Sequence, residues 1–221
     1  MSARCLSQTC KNLCSLCKSS AEIRGKMVLD NIQYEIKQLI WQDIVKLYNT
    51  NMQCDFPKEE IKSLELLQNL YDKDINKVYG VYEETTLKAY AVFERPQNDN
   101  VVLLDYLAVN KMDRGTGLGG LFVKEFKNIL CNVDAIVAEI EDISKANNEE
   151  QELIRRKRKQ FYLRNGFYET GVFTQADGEV DYEILCMPVG QKLNKFQIQK
   201  AMEVIYSTFF KKGDYIIRGE Y

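Results

Sequence analysis

The segment Arg114-Gly115-Thr116-Gly117-Leu118-Gly119-Gly120 places four glycines and one guanidinium between an apolar run and a stretch of helical period. Glycines let successive backbone N–H groups converge on a phosphate without side-chain obstruction, and a helix starting nearby points its positive end at the same place. The chemistry on offer is therefore capture of a pyrophosphate. Read as Gly115-x-Gly117-x-x-Gly120, with Glu139 or Glu141 about 20 residues on, the loop matches the dinucleotide fingerprint. Those two glutamates end the apolar run Ala135-Ile136-Val137-Ala138 and, at a spacing of two, share one strand face. The chain contains no histidine. That excludes Ser-His-Asp and Cys-His nucleophilic systems and leaves acid–base work to Asp, Glu, Tyr, Lys or Cys.

The elements that must carry this loop follow from hydrophobic period. Met27 to Lys37 reads as a first strand, and Ile40 to Tyr48 and Lys58 to Tyr71 as helices. Lys77 to Tyr82 and Leu87 to Phe93 form a hairpin, and Val101 to Val109 is a third strand of the same antiparallel meander. After the loop, Leu118 to Leu130 is an amphipathic helix and Asn132 to Glu141 a strand, a crossover that makes its two strands parallel. Glu149 to Arg164 is the next helix, Phe167 to Thr174 and Val180 to Met187 a second hairpin, and Lys192 to Phe210 a terminal helix closed by Gly213. The predicted fold is α+β: a mixed, mostly antiparallel sheet with one parallel pair, flanked by helices.

Position argues against the dinucleotide match. Its first glycine should follow the strand directly, yet Asn110 to Arg114 intervene, and only one helix–strand crossover follows the loop. Read instead as Arg114-x-x-Gly117-x-Gly119, together with Leu103-Leu104-Asp105-Tyr106-Leu107-Ala108-Val109 and Phe161-Tyr162-Leu163-Arg164-Asn165-Gly166-Phe167, the chain resembles the GNAT superfamily of acetyl-CoA-dependent N-acetyltransferases over about residues 27 to 190. The resemblance implies a three-layer fold in which the parallel strands splay and the pantetheine arm of acetyl-CoA enters between them. Leu107, Ala108 and Val109 match the positions whose backbone would hold that arm and polarise the thioester carbonyl. Arg114, Gly115, Thr116, Gly117, Leu118, Gly119 and Gly120 would wrap the pyrophosphate. Tyr162 matches the family's general acid. Glu139 sits where the ribosomal-protein alanine acetyltransferases have their proposed base, with Glu141 beside it, against the alternative that both are strand-end residues facing solvent or pairing with Arg155 or Arg156; Asp105 reads as a strand residue salt-bridged across the sheet, with a third carboxylate bordering the amine pocket as the alternative. One departure is Arg155, where many members carry a pantetheine-contacting Asn. The acceptor would be a small-molecule or peptide amine, and no metal is expected.

Composition sets the remaining bounds. At 221 residues the chain accommodates one catalytic domain, and a formal charge of −2 gives no pull toward nucleic acid. No apolar run approaches the roughly 20 residues of a membrane helix, and the N-terminus has no signal-peptide core, so the expected location is cytoplasmic. Residues 1 to 26 read as a polar extension. Its Cys5, Cys10, Cys14 and Cys17 have a zinc site's ligand count at irregular spacing, against the alternative of a reduced extension. Cys54, Cys131 and Cys186 are expected to be packed thiols. Residues 191 to 221 form a C-terminal helical extension whose apolar stripe packs on its own domain or in a homodimer. A non-catalytic acyl-CoA-binding regulatory protein is the competing function.

Overall fold

The computed structural model describes residues 22–96, 99–176 and 180–219. The cluster of Cys5, Cys10, Cys14 and Cys17 lies outside them. Nine strands form one mixed sheet in the order β1-β2-β3-β4-β5-β6-β8-β7-β9. Strands β1 (Glu22–Leu29), β2 (Ile32–Gln38), β3 (Asn76–Glu83), β4 (Thr86–Glu94) and β5 (Val101–Val109) are an antiparallel meander; β6 (Ala135–Glu141) runs parallel to β5. β8 (Val180–Pro188), β7 (Tyr168–Ala176) and β9 (Tyr215–Gly219) continue the sheet antiparallel.

Helices cover both faces. Helices α4 (Leu118–Ile129) and α5 (Glu149–Arg164) lie on one face. There Phe122 and Phe126 of α4 are fully buried, and Phe126 meets Phe93 of β4 edge-on at a centroid separation of 4.8 Å. The other face carries α1 (Trp41–Leu47), a π-helical stretch (Tyr48–Met52), α2 (Gln53–Asp55) and α3 (Leu64–Asp72) over β3 to β5, and α6 (Lys195–Phe209) over β6 to β8. The helix ends follow local chemistry. Ser63 caps α3 by accepting from the Leu66 amide, and Asn194 and Gln197 form a reciprocal capping box on α6.

Several expectations change. Met27 to Lys37 is a hairpin rather than one strand, because Asp30 and Asn31 both take left-handed backbone (φ 49 and 67), as a two-residue turn between twisted strands requires. The sheet accordingly begins at Glu22, within the segment read as an extension. The helix expected from Lys58 is a 3-10 turn (Lys58–Glu60) followed by a half-buried strap into α3. The last segment is a helix and then an edge strand, β9, which pairs with β7. Helix α6 packs on its own domain, burying Ile198, Ala201, Met202, Ile205 and Tyr206, while Phe196 and Val204 of the same helix are exposed. Cys54 and Cys131 are also exposed, and Cys186 alone of the described cysteines is packed. Among the described residues, no helix is long and apolar enough to cross a membrane.

Candidate functional site

Strands β5 and β6 pair only where Val101–Leu104 faces Ala135–Ala138. Beyond that point β5 follows β4 and β6 follows β8, so Asp105 to Val109 and Glu139 to Glu141 diverge. The register of β5 on β4 shifts between Leu104 and Tyr106, leaving Asp105 as the bulged residue at the apex of the opening. Such a V-shaped gap exposes strand backbone that has no partner on one side, a ready hydrogen-bonding edge for an extended amide-bearing ligand.

The glycine loop lies at the wide end of this gap. Gly117 is the N-cap of α4 with φ 95, and a β-carbon there would meet nothing within 4 Å, so this glycine serves backbone conformation alone. Leu118 donates its amide to the Thr116 hydroxyl at 3.3 Å, and the Leu121 amide returns to the Gly117 carbonyl. The amides of Gly119 and Gly120 lie in the first helical turn, where helix geometry supplies no acceptor. Gly120 serves packing: a β-carbon there would come within 2.9 Å of the Asn165 amide oxygen. The two sequence motifs are thus one contact. The glycine loop seats α4 against the end of α5, and Asn165 is fixed by donating to the Phe161 carbonyl at 2.8 Å.

Arg114 is anchored on two sides. Its Nε donates to the Val109 carbonyl at 2.8 Å and one terminal nitrogen to Asp55 Oδ1 at 3.1 Å; Asp55 in turn accepts from the Tyr90 hydroxyl at 3.1 Å. Asp55 gave no signal in sequence, standing 59 residues from its partner. The open left-handed turn, the free first-turn amides and the half-exposed guanidinium together suit an anionic phosphate group.

The acid–base candidates separate clearly. Glu141 lies between two arginines, Arg155 at 3.4 Å and Arg158 closer still, and Arg155 also donates to the Asp142 carbonyl at 2.6 Å. The departure at Arg155 is therefore occupied in holding the end of β6. Glu139 instead points to the α6 face, where it accepts from the Tyr206 hydroxyl and, at 3.3 Å, from Thr174. Burial raises its pKa above the ordinary glutamate value; the Tyr206 hydrogen bond opposes that shift and the Asp105 charge adds to it. Tyr206 is 67 residues from Glu139 and on an element expected only to pack. Tyr162 packs between Phe161 and Phe167, with ring centroids at 5.4 and 5.0 Å. Its hydroxyl has no hydrogen-bond partner among the described residues, and burial pushes its pKa up to about 12, keeping the proton on at neutral pH.

At the apex, Lys62 of the strap reaches Asp105 Oδ1 at 2.8 Å and lies 3.0 Å from Glu94 Oε1. Burial disfavours its charge, but Asp105 and Glu94 outweigh that and hold the ammonium above the ordinary lysine pKa. Burial, and then Asp105, raise the pKa of Glu94 as well, which for a carboxyl favours the neutral form.

No family model matches this chain, and no curated protein matches it in sequence. Solved structures do match. A protein described as a GNAT-family acetyltransferase from Bacteroides thetaiotaomicron superposes with a TM-score of 0.61 at 17% identity, covering 79% of this chain and 96% of its own. A spermidine N-acetyltransferase chimera from Vibrio cholerae and hSSAT gives 0.53 at 14% identity, covering 70% and 95%. The ribosomal-protein-S18-alanine N-acetyltransferase from Escherichia coli gives 0.52 at 17%, covering 72% and 96%. At these identities the likeness is one of architecture: the chain has the GNAT N-acetyltransferase fold.

Proposed function

We propose that this protein is an acetyl-CoA-dependent N-acetyltransferase that passes an acetyl group to a primary amine by direct attack in a ternary complex. The observation that carries the reading is the divergence of β5 from β6 after Leu104 and Ala138, opening beside the first turn of α4. Arg114 to Gly120 would hold the pyrophosphate of the donor. The backbone of Leu107, Ala108 and Val109 would hold its pantetheine arm and stabilise the oxyanion that forms as the amine attacks the thioester carbonyl.

The attacking nitrogen must be neutral and the departing thiolate must gain a proton. Glu139 is the better placed base of the β6 pair, because its raised pKa strengthens proton acceptance whereas Glu141 is committed to Arg155 and Arg158. Tyr162 is the acid, its proton retained at neutral pH and its hydroxyl free of protein acceptors among the described residues. We place the reaction in the cytoplasm. Among solved proteins of this fold, acceptors named include spermidine and a ribosomal-protein alanine, which fits a small-molecule or peptide amine.

The test is thiol release from acetyl-CoA across a panel of amines, with acetyl-CoA binding measured in parallel. Amine-dependent thiol release supports the reading. Tight binding with no release under any amine would instead identify a non-catalytic acyl-CoA-binding protein.

A further inference from the structure

Glu139 is the first residue of β6 beyond the stretch paired with β5, and its carboxylate is held unevenly. One oxygen, Oε1, accepts from the Tyr206 hydroxyl of α6 and lies 3.3 Å from the Thr174 hydroxyl of β7. The other, Oε2, has no hydrogen-bond partner among the described residues, and Glu139 is only half-buried. Tyr206 and Thr174, by contrast, are both buried.

Packing does not require this arrangement. The two hydroxyls lie 2.8 Å apart and would satisfy each other without a glutamate. Their surroundings are apolar: Val101, Leu103, Val137, Ile184 and Ile205 share one cluster with Tyr206, and an apolar residue at position 139 would extend it. A carboxylate placed there loses hydration that two hydroxyls only partly replace. Helix α6 also lies beyond residues 27 to 190, the span over which the chain resembles the GNAT superfamily, so the clamp comes from an element outside that span. A general base must be held within hydrogen-bond reach of the proton it takes, and a side chain locked by its neighbours meets that need.

We infer that Tyr206, assisted by Thr174, is a positioning residue for the proton-accepting step: the two hydroxyls fix Glu139 through Oε1 and leave Oε2 to take the proton from the acceptor nitrogen. The inference rests on the acetyltransferase reading, with Glu139 as its base. In that step the N–H bond breaks, its electron pair stays on nitrogen, and an O–H bond forms at Oε2. The Tyr206 proton stays on its own oxygen, because burial and then the Glu139 charge hold the phenol well above the ordinary tyrosine pKa. The other groups that face Glu139 are Asp105 of β5, Lys62 of the strap and Tyr182 of β8; Asp105 opposes its ionisation and Lys62 favours it. All three are retained when the Tyr206 hydroxyl is removed, so a change in the titration of Glu139 reports the clamp. The Tyr206 hydrogen bond favours the carboxylate, and its loss therefore raises the pKa of Glu139 further.

Tyr206→Phe keeps the ring and removes the clamp, and two measurements on the full chain, below its unfolding midpoint, read the result. The titration of Glu139 is followed as the protonated-carboxyl C=O stretch in infrared difference spectra, identified by its absence in Glu139→Gln. It should move to higher pH by about one unit. In thiol release from acetyl-CoA with one fixed amine, the acidic limb of kcat should move by the same amount. On that limb kcat should fall about tenfold while the KM for acetyl-CoA is unchanged. Thr174→Val leaves α6 untouched; it should move both readouts in the same direction by less, and it replaces the Phe variant if that does not fold. An infrared titration that stays in place, or an acidic limb that stays in place while the infrared titration moves, would overturn the inference. Absence of thiol release from wild type with every amine would sink the acetyltransferase reading and the inference with it, a result distinct from release with an unmoved limb.

Discussion

Replacing Tyr206 by Phe should destabilise the protein by an amount that grows with pH. The Tyr206 hydroxyl donates to Glu139 and lies 2.8 Å from the Thr174 hydroxyl, so the substitution deletes one oxygen from a three-member network while keeping the ring. A hydrogen bond to an ionised group contributes about 1.5–3 kcal/mol, against about 1 kcal/mol between neutral partners. Glu139 is raised above its ordinary value of 4.5, chiefly by burial. A carboxyl whose folded pKa is raised binds its proton more tightly in the native state, so stability falls as pH rises from the unfolded value through the folded one. Tyr206 limits that fall by favouring the carboxylate, and the Phe variant loses the limit. Since 1 kcal/mol moves Tm by roughly 2–4 °C in a domain of this size, the gap between wild type and variant should widen between pH 5 and pH 8, from about 2–4 °C for a neutral acceptor toward about 3–12 °C for an ionised one. Differential scanning calorimetry across that range measures it. A gap that stays constant, or narrows toward pH 8, would show that Glu139 is not an ionised acceptor of Tyr206 and would undo the reasoning.

Other substitutions probe the remaining parts. Gly117→Ala has room for its methyl group but must hold φ 95, so we expect a loss of about 1–2 kcal/mol in denaturant unfolding together with weaker acetyl-CoA binding; an unchanged affinity would remove the loop from the donor site. Glu139→Gln should cut kcat about a hundredfold and flatten the acidic limb of the pH–rate profile, whereas Glu141→Gln should chiefly weaken the hold of Arg155 and Arg158 on β6; comparable kcat losses would contradict the assignment. Tyr162→Phe should lower kcat with the KM for acetyl-CoA nearly unchanged, and full turnover across pH would exclude it as the acid.

What could be read from sequence was local. The run from Val101 through the glycine loop to Glu141 keeps its chemistry within one crossover, where strand period, glycines and helix period sit next to one another. The Asp30-Asn31 turn was also present as a signal, since both residues tolerate left-handed backbone, but weak alternation on either side concealed it. The partners that complete the site were not legible. Lys62 meets Asp105 from an irregular strap, Asp55 reaches Arg114 across 59 residues, and Tyr206 reaches Glu139 across 67. Side chains of this kind carry no period, and only the folded sheet brings them together. Strand β9 escaped for a different reason: five residues pairing with an edge give too short an alternation to stand out after a helix.

The docking of α6 and β9 has a consequence for biogenesis. The hydroxyl that holds Glu139 and the ring that lies over the Lys62 ammonium, Tyr206 and Phe209, belong to a stretch that is synthesised after every strand of the sheet but β9. A nascent polypeptide can assemble the glycine loop and most of the sheet before that stretch emerges, and in that interval Glu139 and the acids of the apex face water. The Glu139 network and the apex cluster are therefore completed together, when α6 closes over strands that are already built.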